Sequence, residues 1–160
     1  MAAGLCVLAP WSLPFGPVAL SAATLGVYLI AGLLPWRQAT AAVGLYVALG
    51  ALGVPVFAGF TGGFHRLVGI TGGFLWGYIF CALVTGGLMS RFDRRWVTPV
   101  ALIAGTVALY ATGTVWYVVQ TAGSLAAALT VCVLPFLPGD AIKIIAASLL
   151  LPILKKRLKV

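Results

Sequence analysis

Apolar residues run along this chain in long blocks, and the polar and charged positions fall almost entirely in the gaps between them. Blocks of that kind read as membrane-spanning helices, since a span takes roughly 20 apolar residues. The pattern predicts helices at about 1–13, 17–34, 37–53, 71–90, 97–119 and 139–154, forming one all-α integral membrane domain over residues 1–160. Pro17 suits a first helical turn, Pro35 closes the second helix and Val54-Pro55 ends the third. The first apolar run, Met1 to Trp11, is short for a span, so either the first helix continues through Pro14 or the native start lies upstream of Met1, and the second is the expectation. Ser124 to Leu134 is also short, and is expected to dip into the bilayer against other protein segments.

Between the third and fourth helices lies a glycine-dense connection, where Thr61-Gly62-Gly63-Phe64 is echoed by Thr71-Gly72-Gly73-Phe74. Glycines in such a place either supply turns with positive φ or let backbone approach a ligand closely, and the sequence leaves both open.

Composition sharpens the class. The chain is 62% hydrophobic and 8% charged, with a mean hydropathy of +1.15, outside the range of soluble domains. A net charge of +8 could mark a nucleic-acid binder, but such proteins gather basic residues on one polar face, and here they sit between apolar runs. Cys6, Cys81 and Cys132 are isolated in apolar runs, which argues against a metal site. The basic residues orient the chain instead, because cytoplasmic loops carry excess Lys and Arg. Arg37, Arg91, Arg94, Arg95 and the tail Lys155, Lys156, Arg157 and Lys159 then lie inside, with Arg66 outside and both termini cytoplasmic.

That orientation brings three segments to the outer end: the 12–21 connection, the glycine-rich connection and the start of the last helix. The last of these is Pro135-Phe136-Leu137-Pro138-Gly139-Asp140-Ala141-Ile142-Lys143, which carries one of only two acidic residues in the chain. Asp140 and Lys143 have helical i,i+3 spacing, and ionisable groups at membrane depth are costly unless they serve a cavity or partner. The plainer reading is that Asp140 caps the helix through its free backbone amides, which leaves Lys143 unexplained. One carboxylate, one ammonium, glycine backbone and aromatic walls drawn from Phe74, Tyr78, Trp116, Tyr117 and Phe136 suit a small amphipathic ligand. Two acids in separate places and one histidine do not make a catalytic constellation, and no phosphate-binding loop for ATP is present.

The order Pro14-Phe15-Gly16-Pro17-Val18, then Tyr46 with Gly50 and Gly53-Val54-Pro55-Val56-Phe57, then Gly69-Ile70-Thr71-Gly72-Gly73-Phe74, then the block around Asp140, resembles the BioY family. Members are the biotin-binding S components of energy-coupling factor (ECF) vitamin transporters. The resemblance implies a six-helix S-component bundle in the bacterial cytoplasmic membrane. It would capture biotin from outside and work with a transmembrane coupling subunit and two ABC-type ATPases, with transport by the S component alone as an alternative. It carries over as binding positions Asp140, Lys143, Thr71, Gly72, Gly73 and Phe74, together with Tyr46 and Trp116. Arg66 is an alternative partner for the valerate carboxylate. No cofactor is implied beyond biotin as substrate. A carboxylate can accept ureido N–H groups and an ammonium can hold a carbonyl or carboxylate oxygen, without the sequence deciding which charge takes which end.

The family commonly has GPTGGY where this chain has Gly69-Ile70-Thr71-Gly72-Gly73-Phe74, and a polar PVPxT/S segment where this chain reads Pro17-Val18-Ala19-Leu20-Ser21-Ala22-Ala23. These departures leave a related carboxylated vitamin or precursor open as ligand. Docking on the coupling subunit is expected through small residues of the first helix, here Ala2, Ala3 and Gly4.

Overall fold

The computed structural model describes residues 2–15, 18–92 and 96–158. In chain order the elements are α1 (Ala2–Leu8), β1 (Ser12–Phe15), β2 (Val18–Ser21), α2 (Ala23–Leu33), α3 (Trp36–Ala51), α4 (Phe64–Val68), α5 (Gly72–Arg91), α6 (Val97–Thr121), α7 (Leu125–Cys132) and α8 (Leu137–Leu158).

Among the described residues, three helices are long and apolar enough to cross a membrane: Gly72–Arg91, Val97–Thr121 and Leu137–Arg157. Their bounds lie close to the fourth, fifth and sixth predicted helices, because an unbroken apolar run of that length has no competing structure in lipid. The N-terminal part differs from the pattern. The first predicted helix, 1–13, stops at Leu8, and the second, 17–34, starts at Ala23. Between them β1 and β2 form an antiparallel hairpin in the register Ser12 with Ser21 to Phe15 with Val18. Pro10 disfavours helix in the residue before it. Ala22 then donates its N–H to the Trp11 carbonyl, closing the base of the hairpin. At 11 residues α2 is about 16 Å long, and α3 with 16 residues about 24 Å, both shorter than a hydrocarbon core of about 30 Å.

The core is laid down on α5, which packs against α2, α3, α4 and α6, most extensively against α6. Small residues allow that approach: a Cβ added at Gly105 would strike Thr85, and one at Gly113 would strike the Phe74 ring. α8 rests on α2 and α6, and α7 packs on α6. α7, expected to be packed against protein, buries only Ala128 and Cys132 fully and exposes Leu125 and Leu129.

The glycine-rich connection divides its work. Gly53, Gly59 and Gly63 take positive φ, of 101°, 73° and 106°, which an L side chain rarely adopts. Gly72 and Gly73 instead make room for protein: an added Cβ would run into the Leu67 carbonyl at the first and the Trp116 side chain at the second.

The basic residues gather at one end. A crevice there joins Leu33, Leu34 and Pro35 to Ser90 and Lys155, beside Arg37, Arg91, Lys156 and Arg157 in sequence. Arg94, Arg95 and Lys159 lie outside the described residues. Arg66, exposed on α4, belongs to the opposite end.

Candidate functional site

α8 starts at Leu137, two residues before the predicted start, with Pro138 in its first turn, where a missing N–H costs nothing. Asp140 is therefore already inside the helix, and its N–H donates to the Phe136 carbonyl at 2.8 Å. Its carboxylate does not cap backbone amides; every hydrogen bond it accepts among the described residues comes from a side chain. The capping reading is thus replaced by a tertiary one.

Asp140 is 5% exposed. Its Oδ2 accepts from the Tyr110 hydroxyl on α6 at 2.6 Å, and its Oδ1 accepts from Lys143 Nζ at 2.9 Å. Thr24, from α2, accepts a second bond from Lys143 Nζ at 2.9 Å and makes a longer one of 3.4 Å to Oδ1. The carboxylate and the ammonium are thus joined by donors from two other helices, the arrangement a buried pair needs to offset its desolvation. One turn deeper, Tyr28 on α2 and Thr106 on α6 share a 2.5 Å hydrogen bond, and Thr106 also donates to the Leu102 carbonyl. Two polar rungs therefore cross from α2 to α6, the upper containing the ion pair. Below them the interface is apolar, with Leu151 filling the space beside Gly32.

Thr24, Tyr28, Thr106 and Tyr110 were not among the residues expected at the site. Part of their signal lay in the sequence all the same: Thr24/Tyr28 and Thr106/Tyr110 are i,i+4 pairs of polar groups on mostly apolar helices, so each pair shares a face.

The glycine-loop residues occupy the next level along α6. Trp116 lies six residues past Tyr110, about 9 Å along the helix. It donates Nε1–H to the Gly69 carbonyl at 3.0 Å, and Gln120 donates to the Val68 carbonyl at 2.8 Å. The turn that carries Thr71, Gly72 and Gly73 is in this way fastened to the end of α6 by side-chain clasps. Phe74 is buried against Gly113. Tyr46 is 1% exposed and packs edge-on against Phe57 with ring centroids 5.7 Å apart. Arg66 is exposed. The structure brings Asp140 and Lys143 into direct contact. It clasps Trp116 to the 69–73 turn, packs Tyr46 against Phe57 and leaves Arg66 exposed.

A groove of about 720 Å³ runs between α5 and α6, lined by Gly73, Trp76, Phe80, Val115, Trp116 and Val119 among others. It contains neither charge of the pair, and Trp76, Phe80, Val115 and Val119 are exposed. We read it as lipid-facing surface rather than the ligand site. Among the described residues no group of three metal-ligating side chains occurs.

The sequence profile of the BioY family matches residues 1–160. The chain belongs to the BioY family. The "Biotin transporter BioY" of Thermotoga maritima is 39% identical over 153 residues, covering 95% of this chain and 90% of that protein. The "Biotin transporter BioY" of Rhizobium etli is 37% identical over 153 residues, covering 90% of this chain and 81% of that protein. Among solved structures, the crystal structure of the S-component for biotin from an ECF-type ABC transporter matches with a TM-score of 0.88 and 26% identity, covering 97% of this chain and 86% of the other. These BioY relatives are transporters, and the fold built around α5, α6 and α8 is that of an S component rather than an enzyme.

Proposed function

We propose that this chain captures biotin and delivers it across the cell membrane as the substrate-binding subunit of an ECF-type transporter. The observation that carries the reading is the buried Asp140–Lys143 pair, held at 2.9 Å at the α8 start of a chain that matches biotin S components end to end. In the complete assembly α1, α2 and α3 accompany the three long helices as the remaining members of a six-helix bundle. The basic end faces the cytoplasm with both termini, following the excess of Lys and Arg there. A transmembrane coupling subunit and two ATPases supply the energy, since the chain contains no nucleotide-binding loop.

The chemistry of the pair selects an orientation. A carboxylate oxygen and an ammonium in contact present an acceptor beside a donor, which matches the adjacent N–H and C=O of a ureido group. Placing the valerate carboxylate at Lys143 would set a second anion against Asp140 in a low-dielectric site, where like charges repel strongly. The ureido ring therefore sits at Asp140 and Lys143, and the valerate points to the outer end, where Arg66 is available. A carboxylate has about four acceptor positions, and three contacts already reach Asp140, so the ligand shares or exchanges these bonds rather than meeting a bare charge.

The test is uptake of labelled biotin by a biotin-requiring host expressing the chain with and without a coupling subunit and ATPases, with dethiobiotin and other vitamins as competitors. The reading predicts accumulation that depends on Asp140 and Lys143 and is displaced by biotin before other vitamins. Accumulation displaced equally well by an unrelated vitamin would overturn it.

A further inference from the structure

At the end opposite the ion pair, the last turn of α2, the turn into α3 and the last turns of α5 and α8 enclose a crevice of about 190 Å³. Its walls are mostly backbone and small or apolar side chains, Ala31 to Pro35 from one side and Gly86, Met89 and Ser90 from the other. Gly86 packs against the Trp36 backbone, which keeps the two walls in register. Among the described residues, the one charged group on the lining is Lys155 of α8, half-buried and with no hydrogen-bond or ion-pair partner there. A partly buried ammonium in an apolar wall is costly unless an anion meets it.

The surroundings carry the same sign. Arg37 lies over the Trp36 ring, 5.2 Å from its centroid, and Arg91, Lys156 and Arg157 flank the crevice in sequence. Of the two acidic residues in the chain, Asp140 is committed at the far end, leaving Asp93 as the sole acid near this one in sequence. Two turns before Ser90 on α5, Leu83 lies on the same helix face and is exposed, a surface suited to acyl chains beside a cationic pocket.

We propose that this crevice binds the phosphate headgroup of an anionic phospholipid in the leaflet bathing that end of the bundle, with Lys155 as its direct ligand and the neighbouring Arg and Lys side chains as the attracting field. Basic pockets between membrane helices are suited to such headgroups, and the acyl chains supply the apolar half of the recognition. The site lies at the opposite end of the bundle from Asp140 and is independent of the biotin reading.

Native mass spectrometry and thermal midpoints of the purified chain in neutral detergent, with dioleoylphosphatidylglycerol or dioleoylphosphatidylcholine added, test it. The expected result is preferential retention of phosphatidylglycerol. That preference should fall about fivefold in Lys155→Gln, the factor for one basic side chain at an anionic surface, and should weaken with salt. Lys156→Gln, exposed and outside the crevice, controls for loss of charge alone and should lose less. Equal retention of the two lipids, or a Lys155→Gln preference equal to wild type, would overturn the proposal. Stabilisation by inorganic phosphate matching that by phosphatidylglycerol would overturn the lipid assignment. Self-association lost in Lys155→Gln with lipid retention unchanged would make the crevice a contact between copies and overturn it likewise. Size-exclusion profiles establish that each variant is folded.

Discussion

Removing either member of the buried ion pair should be far more damaging than removing both. In Lys143→Met the side-chain volume is largely kept, but the Asp140 carboxylate, 7% exposed at its side chain, loses the ammonium at 2.9 Å. In Asp140→Asn the Lys143 ammonium, 16% exposed, loses its carboxylate while the amide oxygen still accepts from Tyr110. Breaking a buried pair by deleting one partner costs about 3–5 kcal/mol. Both groups are well shielded from solvent here, so the full range applies. At about 2–4 °C per kcal/mol for a chain of this size, each single variant should melt about 6–20 °C below wild type. The double variant removes both charges and should recover most of that loss, because replacing a buried pair by neutral groups is close to neutral. The assay is thermal unfolding in one detergent at a fixed scan rate without ligand, analysed as a double-mutant cycle. A double variant whose loss equals the sum of the singles would refute the reasoning, since it would mean that the two charges act independently.

Tyr110→Phe removes the 2.6 Å bond to Oδ2; a bond to a charged group is worth about 1.5–3 kcal/mol, so the ligand-free chain should melt about 3–12 °C lower at about 2–4 °C per kcal/mol, read by thermal unfolding. An unchanged midpoint would mean that this bond does not support the buried pair. If the valerate lies at the outer end near exposed Arg66, biotin methyl ester should compete with labelled biotin at most about fivefold less well than biotin itself, the value of an exposed ion pair. A loss of a hundredfold or more would place the valerate on Lys143 instead. Trp116→Phe keeps the packing on Gly73 but removes the clasp on the Gly69 carbonyl, so amide exchange in residues 67–73 should quicken about fivefold while that of α8 stays unchanged.

How much of this was legible in the sequence depends on the range of the contact. α5, α6 and α8 could be read off because a long apolar run has no alternative to helix in lipid, and Asp140 with Lys143 stood out because two charges one turn apart break such a run. The pairing of 12–15 with 18–21 was hidden for the opposite reason: the residues at its two ends are apolar enough to pass as helix ends, and only the strand pairing, with the Ala22 N–H on the Trp11 carbonyl, distinguishes them. Tyr110 and Thr24 are 30 and 116 residues from Asp140, so their roles depend on how α2, α6 and α8 meet. The i,i+4 polar stripe on α6 marks the face but not its partner. Gly72 and Gly73 could be read as a place of close approach, and it took the packing of Leu67 and Trp116 to say that protein makes that approach.

Titration calorimetry of biotin into the detergent-purified chain beside Asp140→Ala and Lys143→Ala, with folding checked by size exclusion, tests the central claim most directly. The account predicts tight, saturable binding to wild type that is lost in both well-folded variants. Undiminished binding in either variant, or none in a well-folded wild type, would contradict it.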